Sequence, residues 1–164
     1  MKELILAGKI FIYPTDTIYG IGCDATNDEA VRKIRAIKHR AENPFSIIPP
    51  SSAWIRANTH HEGDLAAGPF TYIVGLKNPK AISPNVQPKD DGSIGLRLPE
   101  HWFVGEIEKA GVPFVSTSVN VSGLPFMTSL DDLDPIIRDS VDIILYEGPL
   151  TRKVSSKIDL TQKR

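Results

Sequence analysis

Short apolar segments rich in Ile, Val, Phe and Tyr alternate along this chain with segments whose apolar residues recur every three or four positions. The first pattern is typical of buried strands, and the second of helices that pack on a sheet. The predicted strands are KIFIY (9–13), FSIIP (45–49), FTYIVGL (70–76), SIGLRLP (93–99), VPFVSTS (112–118), VDIILYEG (141–148) and SSKIDL (155–160). The predicted helices are KELILA (2–7), TNDEAVRKIRAIKHR (26–40), SSAWIRAN (51–58), EHWFVGEIEKAG (100–111) and SLDDLDPIIRDS (129–140). This irregular alternation predicts a mixed α/β sheet with packed helices.

The length and composition favour one globular domain over residues 1–164, since no repeat or linker-like cluster divides the chain. The formal net charge of −1 does not indicate a nucleic-acid binder, although a local basic groove stays possible. The single cysteine, Cys23, cannot form an internal disulfide, so we expect a reducing, cytoplasmic setting. The N-terminal segment lacks the features of a signal peptide, and no apolar run is long enough to span a membrane.

The segment GIGCDA, residues 20–25, matches the glycine fingerprint of dinucleotide-binding folds. That fingerprint joins a strand directly to a helix, whereas here PTDTIY separates the strand from the glycines. The predicted helix begins only near Asn27 or Asp28. We favour the simpler interpretation that Gly20 and Gly22 permit close backbone packing or a positive φ.

Two hydroxyl-rich segments follow predicted strands: YPTDTIYG at 13–20 and STSVNVSG at 116–123. Hydroxyl groups at the end of a strand suit a ligand pocket, because they both donate and accept hydrogen bonds. The alternative is an ordinary turn at each place, in which the polar side chains cap backbone groups.

The segment KHRAENPFS, residues 38–46, places two cations at the end of a predicted helix. Lys38 and Arg40 would be favoured there by the helix dipole alone. On a helix, residues two apart do not share a face, but on an extended segment they do. Because Pro44 favours an extended exit from the helix, an anion clamp formed by the two cations is a second interpretation.

Arg97 lies within the otherwise apolar strand GLRLP. A buried arginine needs a partner, so its side chain either faces solvent or pairs with a carboxylate or phosphate.

The motifs YPTDTIYGIGCDA, KHRAENPFSI, GPFTYIV, GSIGLRLPEH, STSVNVSG and SSKIDL occur in this order between Ile10 and Leu160. Together they closely resemble the YrdC/Sua5 family of threonylcarbamoyl-AMP synthases. The resemblance implies a single YrdC-like domain, a twisted mixed sheet with a concave, positively charged face. It also implies a reaction in which L-threonine, bicarbonate or CO2, and ATP yield threonylcarbamoyl-AMP and pyrophosphate. That product serves the N6-threonylcarbamoyl modification of adenosine 37 in tRNA, through a separate transferase.

The resemblance also implies roles for individual residues. The family pattern K-x-R … S-x-N falls on Lys38, Arg40, Ser118 and Asn120. Lys38 and Arg40 would be the catalytic cations that hold ATP phosphates or the threonine carboxylate, and Ser118 and Asn120 would bind the nucleotide. Both cations are expected to be exposed. The expected threonine-binding residues are Thr15, Thr17, Arg97, Ser116 and one of Ser155 and Ser156, of which Ser156 is the one assigned. Magnesium is expected to arrive with ATP, held mainly by its phosphates.

The chain departs from the family pattern in two places. Ala67-Gly68-Pro69 replaces the usual Pro-Gly-Pro, and Val154–Asp159 replaces Pro-Ser-Thr-Val-Val-Asp. The second change introduces Lys157, a cation that would alter ligand contacts. Only five residues follow Asp159, so we expect that the additional C-terminal domain of Sua5-type relatives is missing.

Two alternatives remain open from the sequence. One is a double-stranded RNA or tRNA-binding module that uses the same basic face without synthase activity. The other is an enzyme for a different carbamoyl substrate, as in hydrogenase-maturation proteins with a similar domain.

Overall fold

The computed structural model of the chain describes residues 1–40 and 42–161. Ala41, within KHRAENPFS, and residues 162–164, at the end of the predicted domain, lie outside the described residues.

Eight strands form one mixed sheet. They are β1 Phe11–Tyr13, β2 Gly20–Gly22, β3 Ser46–Ile48, β4 Phe70–Gly75, β5 Ser93–Arg97, β6 Phe114–Ser118, β7 Ile143–Ile144 and β8 Ser156–Asp159. Their order across the sheet is β7-β1-β2-β6-β3-β5-β4-β8. The pairs β7–β1, β3–β5 and β4–β8 are parallel, and the remaining pairs are antiparallel. The predicted mixed α/β sheet is therefore confirmed.

The described residues form five α-helices, of which the first precedes the sheet and the others lie between strands: α1 Lys2–Leu6, α2 Asp28–Lys38, α3 Ser52–Asn58, α4 Phe103–Ala110 and α5 Pro135–Ser140. Helix α2 begins where Asn27 Oδ1 accepts a hydrogen bond from the Ala30 backbone N–H at 3.0 Å. Helix α4 ends at Gly111, whose φ of 74° suits a glycine C-cap. The segment predicted as one helix over 129–140 divides into a 3₁₀ turn at Leu130–Asp132 and α5, with Pro135 in its first turn.

Both faces of the sheet pack against helices, since alternate side chains of a strand point to opposite faces. One face packs against α2, α3 and α5 in a large apolar cluster, which includes Ile12, Ile47, Val115, Ile34 and Ile137. The other face packs against α1 and α4 through a smaller cluster, which includes Phe11, Ile48, Phe114, Ile5 and Phe103.

The second face changes from apolar to polar along its strands. On β6, Ser116 and Ser118 follow Phe114 at two-residue spacing, and on β3, Ser46 precedes Ile48 by two. These serines therefore share the face of the α1–α4 cluster but lie outside that cluster of apolar residues. The polar part of this face is where a ligand could contact the sheet directly.

Strand β2 was missed from the sequence, because two of its three residues are glycines. A Cβ on Gly22 would overlap the backbone carbonyl of Val115, and a Cβ on Gly20 would come within 2.7 Å of the Tyr13 ring. Neither glycine has a positive φ. Their role is close packing within the sheet, which also removes the dinucleotide interpretation, because the glycines lie in a strand and not at a helix start.

Among the described residues, no helix has both the length and the hydropathy required to cross a membrane.

Candidate active site

A cavity of about 290 Å³ lies over the polar part of the second face. Its lining brings together segments that are far apart in the sequence: Thr15, residues 17–20, Arg40, Pro44, Ser46, Thr71, Arg97, residues 116–118, Val154, Ser155 and Lys157. The strand register explains this convergence. Ser46 lies opposite both Ser116 and Gly95, and Thr71 lies opposite both Arg97 and Lys157. Two rows of polar side chains thus cross the sheet and form the floor of the cavity.

Thr15 and Thr17 lie at one wall, in the segment after β1, and are 6% and 4% exposed. Their hydroxyl oxygens are 3.0 Å apart, and the Thr15 hydroxyl donates to the Ile18 carbonyl at 2.6 Å. The Thr17 backbone N–H donates to Thr15 Oγ1 at 3.0 Å. These hydrogen bonds are those of a turn, as one of the two interpretations predicted. The same two threonines also line the cavity.

Arg97, at the end of β5, is 5% exposed and pairs with a carboxylate. Its Nη2 lies 2.7 Å from Asp16 Oδ1 and 3.3 Å from Thr17 Oγ1. Its Nη1 donates to the carbonyls of Gly68 and Phe70, at 2.6 Å and 3.0 Å. Of the two interpretations open from the sequence, the solvent-facing one is wrong. The arginine holds the Thr15–Thr17 turn against β4 and β5, and its charge is balanced by Asp16.

Arg40 reaches the cavity through a sharp turn, so the extended exit predicted for this segment is wrong. His39 ends α2 in the left-handed conformation, with φ of 51° and ψ of 43°. The Arg40 guanidinium donates to the carbonyls of Asn43 and Pro44, at 3.3 Å and 2.9 Å. These acceptors are neutral, so the positive charge of Arg40 remains available to an anion in the cavity.

Lys38 does not line this cavity, although it contacts the segment that does. Its Nζ donates to the Ser118 carbonyl, to the Asn120 carbonyl at 3.1 Å and to Asn120 Oδ1 at 2.8 Å. The Ser118 hydroxyl donates to the same Oδ1 at 2.7 Å. The structure thus brings Lys38, Ser118 and Asn120 into one cluster, with Ser118 at the cavity and Lys38 behind it. The expectation that Lys38 is exposed is wrong, because only 1% of the residue is accessible.

The environment of Lys38 changes its acidity. Burial, assisted by the nearby Arg40 charge, lowers the pKa of Lys38 from 10.5 to about 7. Three oxygens surround Nζ, one for each N–H bond of the ammonium form, which opposes that lowering. The ammonium group therefore fixes the backbone after β6 while it titrates far more readily than an exposed lysine.

The C-terminal wall distinguishes the two candidate serines. Ser155 lines the cavity, and its Oγ lies 2.6 Å from Thr71 Oγ1. Ser156, the residue assigned from the resemblance, is exposed and is not part of the lining. Lys157 points to the same side as Ser155, as strand alternation requires. The structure therefore favours Ser155 over Ser156 for any contact with a ligand.

The remaining lining residues include some that the sequence analysis missed. Ser46 and Thr71 lie on the cavity floor. Asp16 is not a lining residue, but it holds Arg97 in place through a hydrogen bond. A single serine or threonine within an otherwise apolar strand is the signal that would have identified Ser46 and Thr71.

A larger cavity, of about 820 Å³, lies elsewhere between β4 and the end of the described chain. It is lined by His60, His61, Glu62, Asp91 and Asp159 among others, and by none of the predicted site residues. The smaller cavity is the stronger candidate, because it gathers hydroxyl groups and cations from several separate strands of the sheet and their loops.

Comparison with known proteins identifies the family of this chain. A family model for Sua5, YciO and YrdC, described as "Telomere recombination", matches residues 3–164. A putative threonylcarbamoyl-AMP synthase of Methanocaldococcus jannaschii is 37% identical over 157 residues, which cover 90% of this chain and 72% of the relative. The threonylcarbamoyl-AMP synthase of Pseudoalteromonas atlantica is 30% identical over 158 residues, covering 88% of this chain and 81% of the relative. The chain belongs to the Sua5/YciO/YrdC family.

Among solved structures, Pyrococcus abyssi Sua5 complexed with L-threonine superposes with a TM-score of 0.84 at 25% identity. The match covers 98% of this chain and 50% of the Sua5 chain, so this protein spans half the length of that relative.

Proposed function

We propose that this protein is an L-threonylcarbamoyladenylate synthase, which makes threonylcarbamoyl-AMP and pyrophosphate from L-threonine, bicarbonate or CO2, and ATP. The observation that carries the proposal is the convergence of Thr17, Arg97, Ser116, Ser118 and Arg40 on one cavity. These residues fall on the family motifs, and relatives at 30% and 37% identity are named as this enzyme.

The proposed chemistry needs no protein nucleophile. The neutral threonine amine attacks CO2 and loses a proton to solvent to form a carbamate, and a carbamate oxygen then attacks the α-phosphorus of ATP. The bond from that phosphorus to the bridging oxygen breaks, and pyrophosphate leaves with the electron pair. The protein contributes by positioning three reactants and by stabilising phosphate charge, and hydroxyl groups and cations are the side chains suited to both tasks.

The charge of the cavity also suits the first step. Arg40 and Lys157 line it and form no ion pair within the described residues, Arg97 is paired with Asp16, and no carboxylate is among the described lining residues. A cationic site disfavours the protonated form of a bound amine, so it lowers the pKa of the threonine amino group. The neutral amine, which is the nucleophile, is thereby more populated at neutral pH.

We assign the residues as follows. Thr15, Thr17, Ser116 and Ser155 orient threonine and its carbamate by hydrogen bonds, and Arg97 positions Thr17 while it is paired with Asp16. Arg40 binds phosphate oxygens. Lys38 and Asn120 hold the backbone that presents the Ser118 hydroxyl. Magnesium accompanies ATP on the phosphate oxygens.

The product is an activated acyl-adenylate and labile in water, so it requires prompt transfer. We propose that a separate threonylcarbamoyl transferase places the group on adenosine 37 of tRNA.

The test is an incubation of the protein with ATP, L-threonine and ¹³C-bicarbonate, read by mass spectrometry and by pyrophosphate release. We expect threonylcarbamoyl-AMP that carries the ¹³C atom, and pyrophosphate release that requires all three substrates. Thr17→Val should reduce synthesis, while Thr59→Val, at an equally buried threonine away from the cavity, should not. Pyrophosphate release without threonine, or no labelled adenylate, would contradict the proposal.

A further inference from the structure

Lys157 lies where the active-site cavity meets a second one. A neighbouring cavity of about 370 Å³ shares five lining residues with the first: Arg40, Pro44, Ser46, Thr71 and Lys157. Arg40 and Lys157 are the two cations in this shared set. They therefore flank the passage between the two cavities, one from the turn after α2 and one from β8.

The orientation of Lys157 is set by the sheet. Strand β8 runs parallel to β4, with Lys157 opposite Thr71 and Ile158 opposite Tyr72. Ile158 packs against the large core on the far face, so Lys157 must point to the cavity face. The Ser155–Thr71 hydroxyl contact fixes the start of the strand on the same side.

The charges around the passage are not balanced by the protein. Arg97 is paired with Asp16, and Lys38 is enclosed by the oxygens of Ser118 and Asn120. Within the part of the chain that the structure describes, neither Arg40 nor Lys157 forms an ion pair. Two uncompensated cations at one passage form a site for an anion with several charged oxygens.

We propose that Lys157 binds the pyrophosphate portion of ATP, together with Arg40, and holds it as it leaves. This inference rests on the proposed function. It gives Lys157 a role in binding that the reaction described above does not by itself require. Lysine is a common phosphate ligand that acts as a point charge, and the guanidinium fork of arginine also fits phosphate oxygens, so the two cations suit a pyrophosphate group together. As the bond from the α-phosphorus breaks, charge grows on the departing pyrophosphate, and a cation there stabilises it.

The test compares Lys157→Val, which suits an edge strand, with Lys157→Arg, which keeps the charge. Lys153→Val serves as the control, since Lys153 is an exposed cation of the same segment that lines neither cavity. Calorimetry with magnesium pyrophosphate measures the anion site directly, and steady-state assays give the KM for ATP and for threonine.

For Lys157→Val we expect about fivefold weaker pyrophosphate binding and an equally raised KM for ATP, as for loss of one partly exposed ion pair. The KM for threonine should stay unchanged, and the difference from wild type should shrink at high salt. Lys157→Arg and Lys153→Val should bind pyrophosphate as the wild type does.

Unchanged pyrophosphate affinity in Lys157→Val would overturn the inference, as would a raised KM for threonine alone. Because the calorimetric measurement needs no turnover, it decides the role of Lys157 even if the incubation yields no threonylcarbamoyl-AMP. Failure of the proposed function would instead appear as a missing product with the wild-type protein.

Discussion

Lys38 and Arg40 are two residues apart, yet the structure gives them different environments. His39, in the left-handed conformation, separates a buried ammonium from a guanidinium at the cavity. The helix-dipole interpretation describes Lys38, which ends α2. An anion clamp formed by both cations is wrong, because Lys38 does not line the cavity. Lys38 ends the helix and fixes the segment after β6, whereas Arg40 alone faces the cavity.

Lys38 should titrate near neutral pH in the folded protein. Its pKa is about 7 when folded and 10.5 as an ordinary lysine. Between these values the unfolded state keeps a proton that the folded state has released, so the stability contributed by this residue rises with pH. Below pH 7 both states bind the proton and the dependence ends.

The measurement is the free energy of unfolding of wild type and Lys38→Met between pH 6 and 9, together with the Lys38 Cε chemical shift. We expect the wild type to gain stability over the variant as pH rises, by up to about 1.4 kcal/mol per pH unit. A Cε titration midpoint near 10.5 would show that the three oxygens fully maintain the charged form.

Arg40 should matter for activity and little for folding, because its hydrogen bonds go to carbonyls of a surface turn. For Arg40→Met we expect kcat/KM to fall about 10- to 100-fold, as for the loss of a charge-assisted hydrogen bond. The control is Arg32→Met, which removes an exposed helix arginine paired with Asp28. Equal activity of the two variants would contradict a phosphate contact by Arg40.

At the scale of elements, β2 is the strand that the local sequence pattern could not predict. A three-residue strand with two glycines has low intrinsic strand preference, and it forms because β1 and β6 pair with it on both sides. The longer elements were predictable, since their apolar periodicity and caps at Asn27, Ser51 and Gly111 are local signals. The division of the 129–140 segment follows from Asp134 and Pro135, which begin a new helix there.

Gly22 should be irreplaceable, since a Cβ there would overlap the Val115 carbonyl between two paired strands. For Gly22→Ala we expect a loss of about 3 kcal/mol or more in unfolding free energy, because backbone and not a flexible side chain must move. A methyl group at Gly105, inside α4, would meet no neighbouring atom within 4 Å. Gly105→Ala should therefore raise stability by about 0.5–1 kcal/mol.

Urea denaturation of both variants measures this difference. A loss below about 1 kcal/mol for Gly22→Ala would mean that β2 lies farther from β6 than the structure has it.

At the scale of the molecule, the candidate site exists because helices cover the two faces of the sheet to different extents. One face is fully packed by α2, α3 and α5, while α1 and α4 cover only the apolar part of the other. The uncovered part presents serines, threonines and cations. A formal net charge of −1 conceals this local positive site, which is why composition alone did not reveal it.

The order of the motifs predicted the family, and six of the predicted site residues are among those that line the cavity. It did not predict that Lys38 is buried, that Arg97 is paired with Asp16, or that Ser155 and not Ser156 faces the cavity. Each of these depends on the cross-strand register and on a turn geometry, which arise from long-range contacts. Direct RNA binding by the concave face remains a prediction from the sequence.

The most direct test of the central claim is a crystal structure of the protein with L-threonine and a non-hydrolysable ATP analogue. We expect threonine beside Thr17 and Ser116, and phosphate oxygens within hydrogen-bond distance of Arg40 and of the Ser118 hydroxyl. Ligands bound in the cavity beside His60 and His61, with the Arg40 cavity empty, would contradict the account.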